Sequence, residues 1–535
     1  MREACKMRDA CTMRDACDTR DACTIHSHPL VSDTVFCNEV SDAHQVLNLI
    51  DGRFSAASDN ASLNFYNPAT AQKIGSLPHS TQHDVDRAVL AAAREFPAWS
   101  HCAPAFRAQK LNALAELIER DLDDFALAES VNTGKPLQLA RTVDIPRAIA
   151  NLRFFAQLIL QPTAQRFVSP DFISDVHRRA LGVAACISPW NLPLYLFTWK
   201  IAPALAAGCT VVAKPSEVTP LTAWMLAQRS IEADFAPGVL NIVHGSGAGC
   251  GAAMVAHAQV ACITFTGGTA TGETIARSAA TTCKRVALEL GGKNAALVFA
   301  DACTHANIDA TLQGVVRAAF TNQGQVCHCA SRILIERSAW DEVVPALVKR
   351  TRQLHMGDPL LSSTHMGALI SPQHRGKVHA AVEQAVRDGA IVLCGGALPT
   401  PNDLPEHLQN GCFYPATLLA NLPQSCPANQ EEIFGPVATL TPFDSQAHAI
   451  ALANDTRFGL SATIWSGDAA HAQQIAKQLH CGTVWINAWM LRDLRVPIGG
   501  FGASGIGREG GVEALHFFAE PITIVHPTPS MEPAQ

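Results

Sequence analysis

From Leu181 onward, short apolar runs recur at close intervals: LGVAACIS (181–188), CTVVAKP (209–215), VLNIVHG (239–245), ACITFTG (261–267), RVALELG (285–291) and NAALVFA (294–300). Between them lie stretches with helical character, such as LYLFTWKIAPALAAG and PLTAWMLAQRSIEAD. Continuous apolar runs belong to strands buried on both faces. Their alternation with helices predicts a parallel, doubly wound sheet. Upstream, VDRAVLAAAREFPAWS and RAQKLNALAELIERDLDDFALAESVN read as long amphipathic helices, the second ended by GKP at 134–136. A second alternating region starts near Asp301: a helix (ATLQGVVRAAF), a strand (RILIE), a helix (AWDEVVPALVKRTRQL) and strands near Ala438 and Thr483. The fold class is therefore α/β with two sheet-containing parts. The C-terminal ITIVHP reads as a strand without a partner of its own, an edge that needs pairing, as with another subunit.

Composition narrows this picture. The chain has 535 residues, 48% of them hydrophobic and 16% charged, enough for a large core and two to four domains. A net charge of −7 argues against a nucleic-acid partner. No apolar run reaches the ~18 residues of a membrane helix, and the longest candidate, 201–213, is broken by Pro203 and Gly208. The 18 cysteines are scattered singly through apolar segments, as at Cys186, Cys209, Cys262 and Cys394. There a free thiol serves as a small hydrophobe, so the expectation is a reduced, cytoplasmic protein. Residues Met1–Thr24 repeat a six-residue unit four times (MREACK, MRDACT, MRDACD, TRDACT). No apolar segment of a secretory signal follows, and metal-binding CxxC spacing is absent. Residues 1–30 are expected to be a disordered tail outside the fold.

Several short motifs carry candidate chemistry. In GQVCHCASR (324–332), three adjacent side chains cannot all turn to one ion, and a Cys327–Cys329 disulfide would be strained. This leaves Cys327 as a nucleophile or a buried, inert thiol, with Gly324 placed to let the backbone approach a substrate. LELGGK (288–293) ends a strand in Glu289, where ligands of α/β sheets bind and a carboxylate can activate water. SPWNLP (188–193) offers Asn191, an oxyanion donor or a helix cap. TFTGGTATG (264–272) places glycines before a helix start, suited to a dinucleotide pyrophosphate. AKPSE (213–217) sets Lys214 and Glu217 where an adenosine ribose would sit, and a carboxylate there favours NAD over NADP. HGSGAGCG (244–251) is a weak glycine motif, expected as a loop near the cofactor. No metal site is expected.

In this order and spacing, SPWNLP, AKPSE, FTGG, LELGGK, GQVC and EEIFGPV (431–437) resemble the aldehyde dehydrogenase superfamily, from about Asn48 to Ile524. The resemblance implies Cys327 as nucleophile, Glu289 as the base for the deacylating water, and Asn191 with the Cys327 N–H as oxyanion donors. It implies a cofactor site built from Ile187, Trp190, Lys214, Glu217, Gly247, Phe265, Gly267, Gly272, Leu290, Glu432 and Phe434. It also implies an NAD-binding domain (45–161 and 181–291), a catalytic domain (292–500) and a β oligomerisation element (162–180 and 518–528) that forms dimers or tetramers. Two positions depart from the usual pattern: Gly268 replaces a phosphate-binding Ser, and His328 replaces an apolar residue, where it either helps hold Cys327 as thiolate or diverges from it as adjacent side chains often do, so its role is left open.

The stretches LARTVDIPRAIANLRFF (139–155) and WINAWMLRDLRVPIGGFGASGIGREGG (485–511), with the CHC triplet, resemble the muconic semialdehyde dehydrogenases of that superfamily. By that resemblance, Arg147 and Arg492 grip the carboxylate of 2-aminomuconic or 2-hydroxymuconic 6-semialdehyde, with Arg141 and Arg495 as alternatives. Two guanidinium groups suit a carboxylate and repel a cationic aldehyde. The competing readings are a general dehydrogenase for betaine or aliphatic aldehydes, and a catalytically silent structural relative.

Overall fold

The computed structural model describes residues 44–161 and 164–528; the hexapeptide repeat and the expected tail lie outside the described residues. The apolar runs become five parallel strands: β1 (Val183–Ile187), β2 (Thr210–Lys214), β3 (Leu240–Ile242), β4 (Val260–Thr266) and β5 (Arg285–Glu289). Their order in space is β5-β4-β1-β2-β3. Successive side chains of a strand point to opposite faces. Accordingly Ala184, Cys186, Val211 and Ala213 join one core, beneath helices such as Pro104–Arg120 and Ile145–Leu158, while Val183, Ala185, Ile187 and Val212 join the other. The helix Pro193–Ala207 is buried on nearly every side, which explains its apolar sequence. It stops at Gly208, whose φ of 97° favours glycine. Antiparallel strands cover both edges: Asn48–Ile50 beside β3, and Gly505–Ile506 beside β5.

The sixth run, NAALVFA, leaves this series. As β6 (Asn294–Val298) it lies in the second sheet, between β7 (Ala330–Glu336) and Ser461–Trp465. A strand buried on both faces reads the same in either sheet, so periodicity alone does not assign it. The second sheet continues through Val437–Phe443, Thr417–Ala420 and Ile391–Cys394 on one side and Thr483–Ile486 on the other, parallel throughout except for the edge strand Ile391–Cys394.

The C-terminal strand has a partner in its own chain. Ala519–Pro527 pairs antiparallel with Phe172–Ala180 along its whole length, and Gln165–Val168 forms the opposite edge of this small sheet. Phe167, Val168, Ile524 and Val525 are exposed on it. Among the described residues no helix is long and apolar enough to cross a membrane.

Candidate active site

In an open parallel sheet, ligands bind at the carboxyl ends of the strands, where the strand order reverses. Here that point lies between β1 and β4. Register aligns the ends: Leu288 lies opposite Phe265, Phe265 opposite Ile187, and Ile187 opposite Lys214. A cavity of about 480 Å³ opens there. Trp190, Asn191, Gly267, Gly268 and Leu290 line it from the first sheet side; Cys327, Glu432 and Phe434 line it from the second.

The glycines are explained by what a Cβ would meet. At Gly267 it would come within 2.4 Å of the Phe265 ring, and at Gly272 within 2.4 Å of Leu290 Cδ2. Gly268 faces open space and caps the helix Thr269–Ala280 without a side-chain bond, so the helix amides are open to an anion. Lys214, Glu217 and Gly247 form a second cluster at the end of β2. Lys214 Nζ lies 3.2 Å from Glu217 Oε2, and the Gly247 N–H donates to Glu217 Oε1 at 3.4 Å. Burial alone would raise the Glu217 carboxyl, but the Lys214 charge and these bonds outweigh it and hold it below its ordinary range. The 244–251 stretch is a turn of wide helix, Gly247–Gly251, continued by Ala252–Ala256.

Cys327 follows the helix Ile308–Phe320 through a tight turn in which Asn322 and Gln323 take positive φ. Gly324 has φ +68°, and a Cβ on it would lie 2.2 Å from the Gly435 carbonyl oxygen. The glycine therefore serves contact with Gly435 in the protein itself, not the expected approach to a substrate. Gly324→Ala is expected to cost about 2–4 kcal/mol, seen as a lowered midpoint in thermal or urea unfolding; an unchanged midpoint would show that the turn relaxes freely. Asn294 Nδ2 donates to the carbonyls of both Cys327 and Cys329, at 2.6 and 2.9 Å, fixing the loop.

The Cys327 thiol is half-buried, and burial with the charges of Glu432 and Glu289 pushes it up to about 12, against the opposing pull of Arg492. Thiolate is then scarce at neutral pH and increases tenfold per pH unit. Alkylation of Cys327 by iodoacetamide, followed by peptide mass spectrometry, should rise about tenfold per unit between pH 7 and 9; a plateau near pH 8 would contradict this environment. Of the two readings of His328, the structure supports divergence from Cys327. Its ring is buried, bonded to Ser461 Oγ at 3.1 Å and edge-on to Trp485. Burial and the Arg492 charge push it down to about 3, so it is neutral. Cys329 turns the other way, towards the Thr321 carbonyl, and Arg332 is buried against the carbonyls of Lys293, Leu452 and Ala453.

Asn191 Nδ2 donates to the Gln325 carbonyl at 2.9 Å, tying the β1 loop to the Cys327 loop. Its second amide hydrogen is left for the cavity. Glu289 is at the end of β5 but does not line that cavity. Its Oε1 is buried without a hydrogen-bond partner among the described residues and faces Gly499, where a Cβ would come within 2.8 Å. Burial, then the nearby Glu509 charge, raises its carboxyl well above the usual range. Glu432 accepts the Gly292 N–H at 3.0 Å, and burial raises it to about 7. A Cβ at Gly291 would lie 2.2 Å from its Oε2, so this glycine makes room for it. Phe434 and Trp190 meet edge to face at 5.2 Å.

The candidate arginines lie in a separate outer groove of about 1050 Å³, lined by Arg147, Arg492, Asp493 and Arg495 among others. Arg492 faces inward enough for its charge to act on Cys327, Glu289 and His328. The alternatives carry acidic partners: Arg141 pairs with Asp123 at 2.7 Å, and Arg495, in the same groove, pairs with Asp493 at 2.5 Å, all exposed.

Comparison with known proteins decides the family. The profile of the aldehyde dehydrogenase family matches residues 54–524. The chain belongs to the aldehyde dehydrogenase family. It is 44% identical to 2-aminomuconic semialdehyde dehydrogenase of Homo sapiens, over 90% of this chain and 98% of that one. It is 41% identical to 2-hydroxymuconic semialdehyde dehydrogenase of Pseudomonas sp. (strain CF600), over 89% and 98%. The crystal structure of betaine aldehyde dehydrogenase from Staphylococcus aureus in complex with NAD+ superposes with a TM-score of 0.86 at 35% identity, covering 90% of this chain and 94% of that one.

Several residues around this aldehyde dehydrogenase's cavity have no signal in the sequence. His374 lies edge-on to Trp190 at 5.4 Å and bonds the Phe434 carbonyl at 2.8 Å. Lys135, read only as part of a helix stop, is fully buried; it pairs with Asp144, lies 3.7 Å from Glu129 and donates to the Asn191 carbonyl at 2.9 Å. A buried lysine flanked by two acids was findable only as a spacing of charges within helical sequence, which also describes a solvated face.

Proposed function

We propose that this enzyme oxidises a 2-substituted muconic 6-semialdehyde, with an amino or hydroxyl group at position 2, to the dicarboxylate, using NAD. The observation that carries the reading is the pair Arg147 and Arg492 in one groove, with the charge of Arg492 reaching Cys327. The names borne by the relatives support it.

Cys327 Sγ, as thiolate, attacks the aldehyde carbon, and the free amide hydrogen of Asn191 with the Cys327 N–H holds the oxyanion. NAD held in the cofactor site would supply the acceptor for the hydride of the thiohemiacetal carbon, and Cys327 would then carry the thioester. Glu289 takes a proton from water, the resulting hydroxide adds to the thioester, and Cys327 leaves as thiolate. The burial that raises the Glu289 carboxyl also makes it a stronger base. One aldehyde, one NAD and one water thus become one carboxylic acid, NADH and a proton.

The helix start at Gly268, which faces open space, fits a pyrophosphate, with Gly267 and Gly272 letting the backbone pack against Phe265 and Leu290, and the Lys214–Glu217 pair with Gly247 fits a ribose. Ile187, Phe265, Leu290, Trp190, Glu432 and Phe434 would complete the cofactor site. We assign 45–161 and 181–291 to NAD binding, 292–500 to catalysis, and 162–180 with 518–528 to self-association as dimer or tetramer, supported by the apolar side chains exposed on the small sheet.

The test is NADH formation with 2-hydroxymuconic semialdehyde, hexanal and betaine aldehyde. A kcat/KM at least about 100-fold higher for the semialdehyde is expected. Equal or faster turnover of the neutral or cationic aldehyde would replace this reading with a general dehydrogenase.

A further inference from the structure

We propose that Tyr195 is a third substrate-reading group, its phenolic O–H donating to the carboxylate held between Arg147 and Arg492. The inference rests on the semialdehyde reading above and adds a residue to it. Tyr195 lies one helical turn beyond Asn191, in the helix Pro193–Ala207, and is only 2% exposed. Its backbone carbonyl accepts a bond from Asn151 Nδ2 at 3.0 Å, which locks it against the helix Ile145–Leu158 that carries Arg147.

The side chain lies close to both cations. The guanidinium carbons of Arg147 and Arg492 lie 5.9 and 5.8 Å from its ring centroid, so the π face offsets part of their repulsion. Arg492 Nη1 donates to Tyr195 Oη at 2.6 Å. A phenol has one hydrogen to donate, and among the described residues this oxygen has no other hydrogen-bond partner. The acid that lines the groove, Asp493, is bound by Arg495. The Tyr195 hydrogen, polarised by the bond from Arg492, is therefore free for an anion that approaches both guanidinium groups.

Tyr195→Phe keeps the ring and deletes the hydroxyl. Its KM for 2-hydroxymuconic semialdehyde should rise about 10–100-fold, with kcat and the rate on hexanal changed less than about twofold. An unchanged KM in a variant that still prefers the semialdehyde over hexanal would overturn the role of Tyr195 and leave the semialdehyde reading standing. Absence of that preference in the unmodified enzyme would instead defeat the reading beneath it. A second measurement needs no variant at Tyr195. The chain has only three tyrosines, so 3-fluorotyrosine labelling gives three fluorine resonances, assigned through Tyr66→Phe and Tyr414→Phe. Adipate, a six-carbon dicarboxylate, should move the Tyr195 resonance and hexane-1,6-diol should not. Competitive inhibition by adipate with a stationary Tyr195 resonance would overturn the proposal.

Discussion

Cys327→Ala should lower NADH formation by at least about four orders of magnitude while leaving the protein folded. The thiol faces the cavity, and its backbone is held independently by Asn294 and by the turn at Gly324. Loss of the sulfur therefore removes little packing. No neighbour can take its place. Cys329 is two residues away but points to the Thr321 carbonyl, and burial raises its thiol as well. Glu289, Glu432 and Asn191 can orient water or an aldehyde but cannot form the thioester. The check is the steady-state rate beside NAD binding by fluorescence: binding should persist and turnover should not. Residual turnover above about 1% would place the nucleophile elsewhere.

Arg492→Ala should show two superimposed losses. One is general: the Arg492 charge pulls the Cys327 thiol down, so its removal leaves even less thiolate and slows every aldehyde by a few-fold. The other is specific to a carboxylated substrate. It removes a charge-assisted bond, about 2–3 kcal/mol, for a further fall of roughly 100-fold in kcat/KM. Comparing the semialdehyde with hexanal separates them. Arg492→Lys should restore the general part, because it restores the charge, and only some of the specific part, because an ammonium does not present a planar fork. A variant that loses activity equally on both substrates would mean that Arg492 serves Cys327 alone.

Much of this was legible in the sequence because particular residues have few alternatives. The buried strands β1, β2 and β4 announce themselves by unbroken apolar runs, and Trp190, Asn191, Gly267, Leu290, Cys327, Glu432 and Phe434 come together around one cavity. What the sequence hid depends on direction in space. Periodicity does not say that β6 changes sheets, since both sheets bury their strands alike. Gly324 marks a close approach, but the partner turned out to be Gly435. His328 next to a thiol suggests a charge partner, yet adjacent side chains diverge and the ring is buried neutral against Ser461. Glu289 is at the expected strand end, but its carboxylate packs against Gly499 and does not line the cavity. Lys135 and Tyr195 were invisible because their partners are brought by other segments: Asn191 for one, Arg492 for the other.

The strand Gly505–Ile506 that covers β5 also sets a clock on synthesis. Leu288 and Glu289 pair with Ile506 and Gly505, and the Leu290 N–H is taken by the Ser504 carbonyl. While the ribosome makes the whole second sheet, that edge of the first has no cover. At about 5–20 residues per second the wait is roughly 10–40 s. For that time the nascent chain carries an open apolar strand ending in Glu289, a template for wrong pairing. Yield in the cell should therefore depend on chaperone supply more than the stability of the finished enzyme would imply, and slowing translation after codon 290 should worsen it.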